Sequence, residues 1–178
     1  MKRKLLLYFI AFALGLFIGY KALITFYPSL VFTIAKSKIK GVENAFIHSA
    51  LPDEKSRFVV KPNPDFLYSS CFYKLENGPL LITGLVDSPS YWSVAFYRTN
   101  TENYYLKNDE KFDTDSLKLF IVSPKQKNVQ TPKGYERIQS PDEKGLVLFR
   151  FLVSNSKESN LLKIKTAQKN IVVKTLFE

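Results

Sequence analysis

The stretch Leu67-Tyr68-Ser69-Ser70-Cys71-Phe72-Tyr73-Lys74-Leu75-Glu76-Asn77-Gly78-Pro79-Leu80-Leu81-Ile82-Thr83-Gly84-Leu85-Val86 decides the fold. Two runs of strand length, each rich in apolar, aromatic and β-branched residues, flank a short polar break. An Asn-Gly step between such runs is a strong hairpin signal, because a two-residue turn of the favoured hand needs positive φ at its centre. The reading is therefore two strands, Leu67–Leu75 and Leu80–Val86, joined as a hairpin at Asn77-Gly78.

The same chemistry repeats outward. Arg57–Lys61, Tyr91–Arg98, Asn103–Lys107, Leu117–Ser123 and Leu146–Val153 have strand composition. Between them lie Pro62-Asn63-Pro64-Asp65, Asp87-Ser88-Pro89-Ser90 and Pro141-Asp142-Glu143-Lys144-Gly145, all turn formers. Ser156 is placed to cap one helix with Leu161, Leu162, Ile164 and Ala167 on or near its buried side, and Asn170–Phe177 reads as a closing strand. The expectation over residues 42–178 is one mainly β (α+β) domain. It is an antiparallel sandwich or curved sheet carrying one C-terminal helix.

The N-terminus is of another kind. Leu5 to Tyr20 is unbroken apolar, aromatic and glycine sequence, and Ala22 to Tyr27 prolongs it past Lys21. A helix over 5–27 is long enough for the roughly 30 Å hydrocarbon core at about 1.5 Å per residue. Lys21 can snorkel to the far interface. A cleaved signal peptide shares the layout, but the A-x-A triplet near the run, Ala11-Phe12-Ala13, would leave too short an apolar region. We therefore expect a retained transmembrane signal-anchor at 5–27, after a cytoplasmic tail at 1–4. Pro28 is expected to kink or restart the helix, opening a basic juxtamembrane segment at 28–41. There Lys36, Lys38 and Lys40 can meet lipid headgroups. Ala11, Gly15 and Gly19 share one helix face and offer a site for helix–helix self-association.

The charge follows this division. The chain has 178 residues, with 26 Lys and Arg against 16 Asp and Glu, a net +10. Lys2, Arg3, Lys4, Lys21, Lys36, Lys38 and Lys40 all precede the first acidic residue, Glu43, so residues 41–178 keep 19 basic and 16 acidic residues, a net +3. A nucleic-acid-binding domain would carry its basic face within the folded part. Nucleic acid is thus not expected as a partner; a membrane is. Basic residues flank the span on both sides, and the order of charged tail then apolar run favours an N-terminus inside the cytoplasm.

Candidate chemistry is sparse. One cysteine and one histidine exclude a disulfide framework and the common zinc patterns, so no metal or cofactor is expected. Cys71 falls in a strand, and no spacing ties it to His48. The turn holding Asn63 and Asp65, with Tyr68, Trp92 and Arg98, is the candidate ligand-binding set. Each has a structural alternative: an Asx turn, core aromatics, an ion pair. Arg98 and Arg150 both sit within otherwise apolar strands, where a charge needs a partner or an anionic ligand.

The order Pro62-Asn63-x-Asp65-x-x-Tyr68-Ser69, then Gly78-Pro79, then Tyr91-Trp92-Ser93-Val94 resembles the bacterial domain-of-unknown-function family 1254. With its N-terminal span and the Cys71-Phe72-Tyr73 strand, the chain resembles that family's small membrane-anchored branch. The resemblance implies a bacterial inner-membrane location with the domain in the periplasm. Larger members add a second domain, family 1214, so it also implies a separate membrane protein of that family as a partner. It implies no settled activity. Three functions follow as expectations: partner binding or envelope assembly, a small-molecule-binding or enzymatic domain built on the Asn63–Tyr68 turn and the aromatics, and an envelope-lipid binder.

Overall fold

A computed structural model describes residues 2–40, 42–53, 56, 62–88, 90–154 and 158–177. Its elements are α1 (Lys2–Lys38), β1 (Phe46–His48), β2 (Phe66–Lys74), β3 (Leu80–Leu85), β4 (Trp92–Arg98), β5 (Asn103–Asn108), β6 (Ser116–Val122), β7 (Glu136–Gln139), β8 (Lys144–Leu152), α2 (Glu158–Asn170) and β9 (Val172–Thr175). The strands form two sheets, one ordered β1-β2-β8-β4-β5 and the other β7-β6-β3-β9. Every pairing is antiparallel except β6 with β7, which is parallel. The fold is mainly β, α+β in class, as the strand pattern indicates.

Alternation builds the interior. Along β8, Gly145, Val147, Phe149 and Phe151 are buried, while Leu146, Leu148 and Arg150 face the other way and are half-buried. Leu67 and Cys71 of β2, Trp92, Val94 and Phe96 of β4, and Leu80 and Ile82 of β3 meet the buried β8 residues between the sheets. Helix α2 adds Ile164 and Ala167 to this core, and Gln168 Nε2 donates to the Tyr68 carbonyl at 3.0 Å and to Ser69 Oγ at 3.1 Å. Leu161 is half-buried and Leu162 exposed, so the buried stripe of α2 is narrower than its leucines suggest. The capping role of Ser156 and the strand over Arg57–Lys61 fall outside the described residues.

The hairpin at Asn77-Gly78 is not formed. The strands on either side of it lie in different sheets: β2 pairs with β1 and β8, β3 with β6 and β9. Leu75 and Leu80 are both buried in the interior, drawing the chain across the sandwich rather than back along β2. The Leu75 N–H donates to Glu143 O at 2.9 Å, and Pro79 has no N–H for a hairpin ladder. Gly78 takes φ +140°, and a Cβ there would come within 3.0 Å of the Phe177 ring. The glycine serves a crossing and a close approach.

The long helix does not restart at Pro28 but runs through it to Lys38, so the expected span and most of the juxtamembrane segment are one continuous helix. At about 1.5 Å per residue it reaches about 55 Å, well beyond a hydrocarbon core of roughly 30 Å. It is long and apolar enough to cross a membrane, and none of its residues is fully buried.

Candidate functional site

The outer face of the five-stranded sheet is apolar through its middle. Phe72, Ile47, Ser70, Leu146, Leu148 and Tyr97 project from β1, β2, β8 and β4 on the side away from the core. The final turns of α1 lie over them. Phe32 meets Phe72 edge to face at 5.5 Å, and Phe72 is 2% exposed. Lys36 Nζ binds Glu43 Oε1 at 2.7 Å, fastening the helix to the loop before β1. That hydrogen bond lowers the Glu43 carboxyl below its ordinary value, with Lys74 and Lys144 adding to it.

Between helix and sheet is a cavity of about 680 Å³. Val31, Phe32 and Ala35 of α1, with Ile39 just beyond its end, form one wall, and the outer-face residues form the floor. Lys38, Lys40, His48, Asn63 and Tyr68 are also part of its lining. The cavity falls within the range of about 300–1,000 Å³ typical of sites for small organic ligands, and its apolar lining with a few polar groups fits that class. His48 hydrogen-bonds Ser69 Oγ through Nδ1 at 2.9 Å, and burial pushes its imidazole below the ordinary value, helped by Lys169.

The candidate residues divide between places. Asn63 and Tyr68 line the cavity, and the Asn63 N–H donates to Tyr68 Oη at 3.2 Å. The Asp65 N–H donates to Asn63 Oδ1 at 2.9 Å, an Asx turn that holds Asp65 in place. Trp92 lies on the opposite face of the sheet, buried in the core and stacked on Phe112 with ring centres 4.9 Å apart. Arg98 is taken by Asp142 at 2.8 Å and Glu102 at 2.9 Å. Its register partner is Gly145, whereas Tyr68 pairs with Arg150, so the two rows are separated by five residues of β8, about 17 Å. Asn63, Asp65 and Tyr68 are thus brought together, and Arg98 lies apart from them.

Lys38 and Lys40 reach the cavity, whereas Lys36 is paired with Glu43. Ala11, Gly15 and Gly19 lie far down α1, where a Cβ on either glycine meets open space. Cys71 faces the core, and burial pushes its thiol up to about 12. Among the described residues, no group of three His, Cys, Asp or Glu could hold a metal ion.

The floor of the cavity escaped the strand-by-strand reading, although β8 carried its signal. Leu146 and Leu148 alternate with Val147 and Phe149, so both faces of the strand are apolar. In an antiparallel sheet that pattern implies a covered outer face.

Fold and cavity together define a β-sandwich carried on one long apolar helix, with a ligand-sized hollow where the two meet. The chain belongs to the DUF1254 family, proteins of unknown function, whose family model matches residues 43–175. No curated protein matches it significantly. Among solved structures it is similar to the VPA0106 protein from Vibrio parahaemolyticus, with a TM-score of 0.66 at 10% identity over 87% of this chain. It is also similar to an uncharacterised protein from Burkholderia cenocepacia, with a TM-score of 0.51 at 14% identity over 72% of this chain. The matched parts are 37% and 36% of those chains, so this chain spans little more than a third of either. At such identities the likeness is one of fold.

Proposed function

We propose that this protein is a single-span inner-membrane module, N-terminus in the cytoplasm and sandwich in the periplasm, that binds an acyl chain of a bilayer amphiphile. The observation that carries the reading is the composition of the cavity wall: the helix that is long and apolar enough to cross a bilayer also walls the apolar hollow. An amphiphile can pass from the outer leaflet along α1 into the cavity without its chain crossing water, which avoids about 0.8 kcal/mol for each exposed CH₂. Lys38 and Lys40 face the same region and favour an anionic surface by roughly 1 kcal/mol each.

Retention of lipid tests this. Full-length protein released from mild detergent in a native mass spectrometer carries an acyl-chain adduct, and a cavity-filling Ala35→Phe variant loses it. A wild-type chain free of adduct contradicts the reading.

A second reading is partner binding in envelope assembly. The related solved chains are almost three times as long as the part matched here, so this fold occurs with additional chain beside it. In this reading, a separate membrane protein of the family 1214 type supplies the equivalent mass. Crosslinking in intact membranes, followed by identification of the neighbour, tests it.

A further inference from the structure

Two arginines sit within apolar strands, and the fold answers only one. Arg98 has Asp142 and Glu102. Arg150 makes no hydrogen bond or ion pair with any described residue, and its Nε is buried without a partner. Ser93, its register partner on β4, is fully buried, and its Oγ is also unpartnered. Buried polar groups are normally satisfied, and leaving one open is destabilising, the more so when it is charged. Two such groups side by side on one sheet face point to a ligand that meets them.

Their position says which ligand. Arg150 follows Leu148 by two residues on the same face of β8, about 6.6 Å along the strand, and stands opposite Tyr68 on β2. Leu148 and Tyr68 both line the cavity, and Arg150, outside that lining, is the next residue of β8 after Leu148 on the same face. Beyond Ser93 the row continues to Asn108, whose buried unpartnered atom is the acceptor Oδ1. The donors therefore end at Ser93, and the anion point is the Arg150–Ser93 pair.

We propose that Arg150, assisted by Ser93, receives the carboxylate of a long-chain fatty acid whose tail occupies the cavity. This rests on the acyl-chain reading above. A guanidinium presents parallel N–H donors that match the two oxygens of a carboxylate, and the serine hydroxyl supplies a further donor. Lys38 and Lys40, on the helical side, are solvated and draw the protein to the anionic surface rather than fixing the ligand.

The test uses the full-length chain in nanodiscs containing palmitate or hexadecanol at equal mole fraction, each with a photoreactive diazirine in its tail. Palmitate labels peptides of the cavity about tenfold more than the alcohol, the ratio expected from one charge-assisted contact of about 1.4 kcal/mol. In Arg150→Gln the two labels fall to parity while alcohol labelling persists, which also shows that the variant is folded. Ser93→Ala reduces the preference by a smaller factor. The proposal is overturned if the preference survives Arg150→Gln, or if it is instead abolished by Lys38→Gln with Lys40→Gln. Stronger labelling by a diazirine-tailed phosphatidylglycerol than by palmitate also overturns it, assigning the oxyanion to a headgroup phosphate. Failure of both chains to label the cavity removes the acyl-chain reading itself, an outcome distinct from loss of the anion preference alone.

Discussion

A side chain at position 145 has no room. A Cβ there would overlap the Tyr73 hydroxyl and the Tyr97 carbonyl. The hydroxyl cannot yield easily, since it is held by Ser140 Oγ and Tyr104 Oη at 2.9 Å each. Gly145→Ala should destabilise the domain by about 1–3 kcal/mol, the usual cost of overpacking, read as a lower thermal midpoint. Cys71 is expected to be inert. With its thiol pushed up to about 12, it stays protonated near neutrality and should react with a maleimide only on unfolding. His48 gives a pH dependence. Its folded-state value lies below the ordinary one, so the unfolded chain binds the additional proton first as the pH falls below about 6.5. Stability contributed by neutral His48 is present above that point and is lost on acidification toward the folded value. The thermal midpoint should fall between about pH 7 and about pH 5, and His48→Gln should flatten that fall. At this scale the sequence was partly legible. Asn63 and Tyr68 were recognisable as polar groups beside a strand and do line the cavity. Arg98 and Arg150 looked alike, because Arg98 finds its partner Asp142 44 residues away, a distance that no local pattern reports.

Among the elements, α1 and the sheet depend on one aromatic contact. Phe72 is buried under Phe32, and truncating it leaves a void at the centre of the helix–sheet junction. Phe72→Ala should cost roughly 3 kcal/mol, measured by denaturant unfolding in detergent. Phe32→Ala should instead speed amide exchange in the last turns of α1 while leaving the sandwich midpoint nearly unchanged. The strands themselves were legible from alternation and turn residues. Which strands pair was not, as β2 and β3 show. The short-range Asn-Gly signal lost to the burial of Leu75 and Leu80, a tertiary effect absent from any local window. Strands β1 and β7 are three and four residues long, too short to show alternation. The cavity has walls from α1, β1, β2, β4 and β8, so it exists only once the sheet order is known.

Over the whole molecule, charge and hydropathy divide as the helix and the sandwich do. Seven basic residues lie on or just beyond the apolar helix, and the remainder keeps a net of only +3. An alkaline phosphatase fusion at the C-terminus should be active, placing the sandwich outside the cytoplasm; an inactive fusion contradicts that orientation. The core of the sandwich fixes one sheet, and the helix closes over that sheet's outer face. We propose that this hollow takes an acyl chain from the bilayer. The most direct test is quenching by brominated lipid tails of a sole tryptophan, introduced as Tyr97→Trp in a Trp92→Phe chain and reconstituted in nanodiscs. Strong quenching is expected, and Ala35→Phe abolishes it by filling the cavity. Emission equal to that in unbrominated nanodiscs, or quenching unaffected by Ala35→Phe, would contradict the proposal.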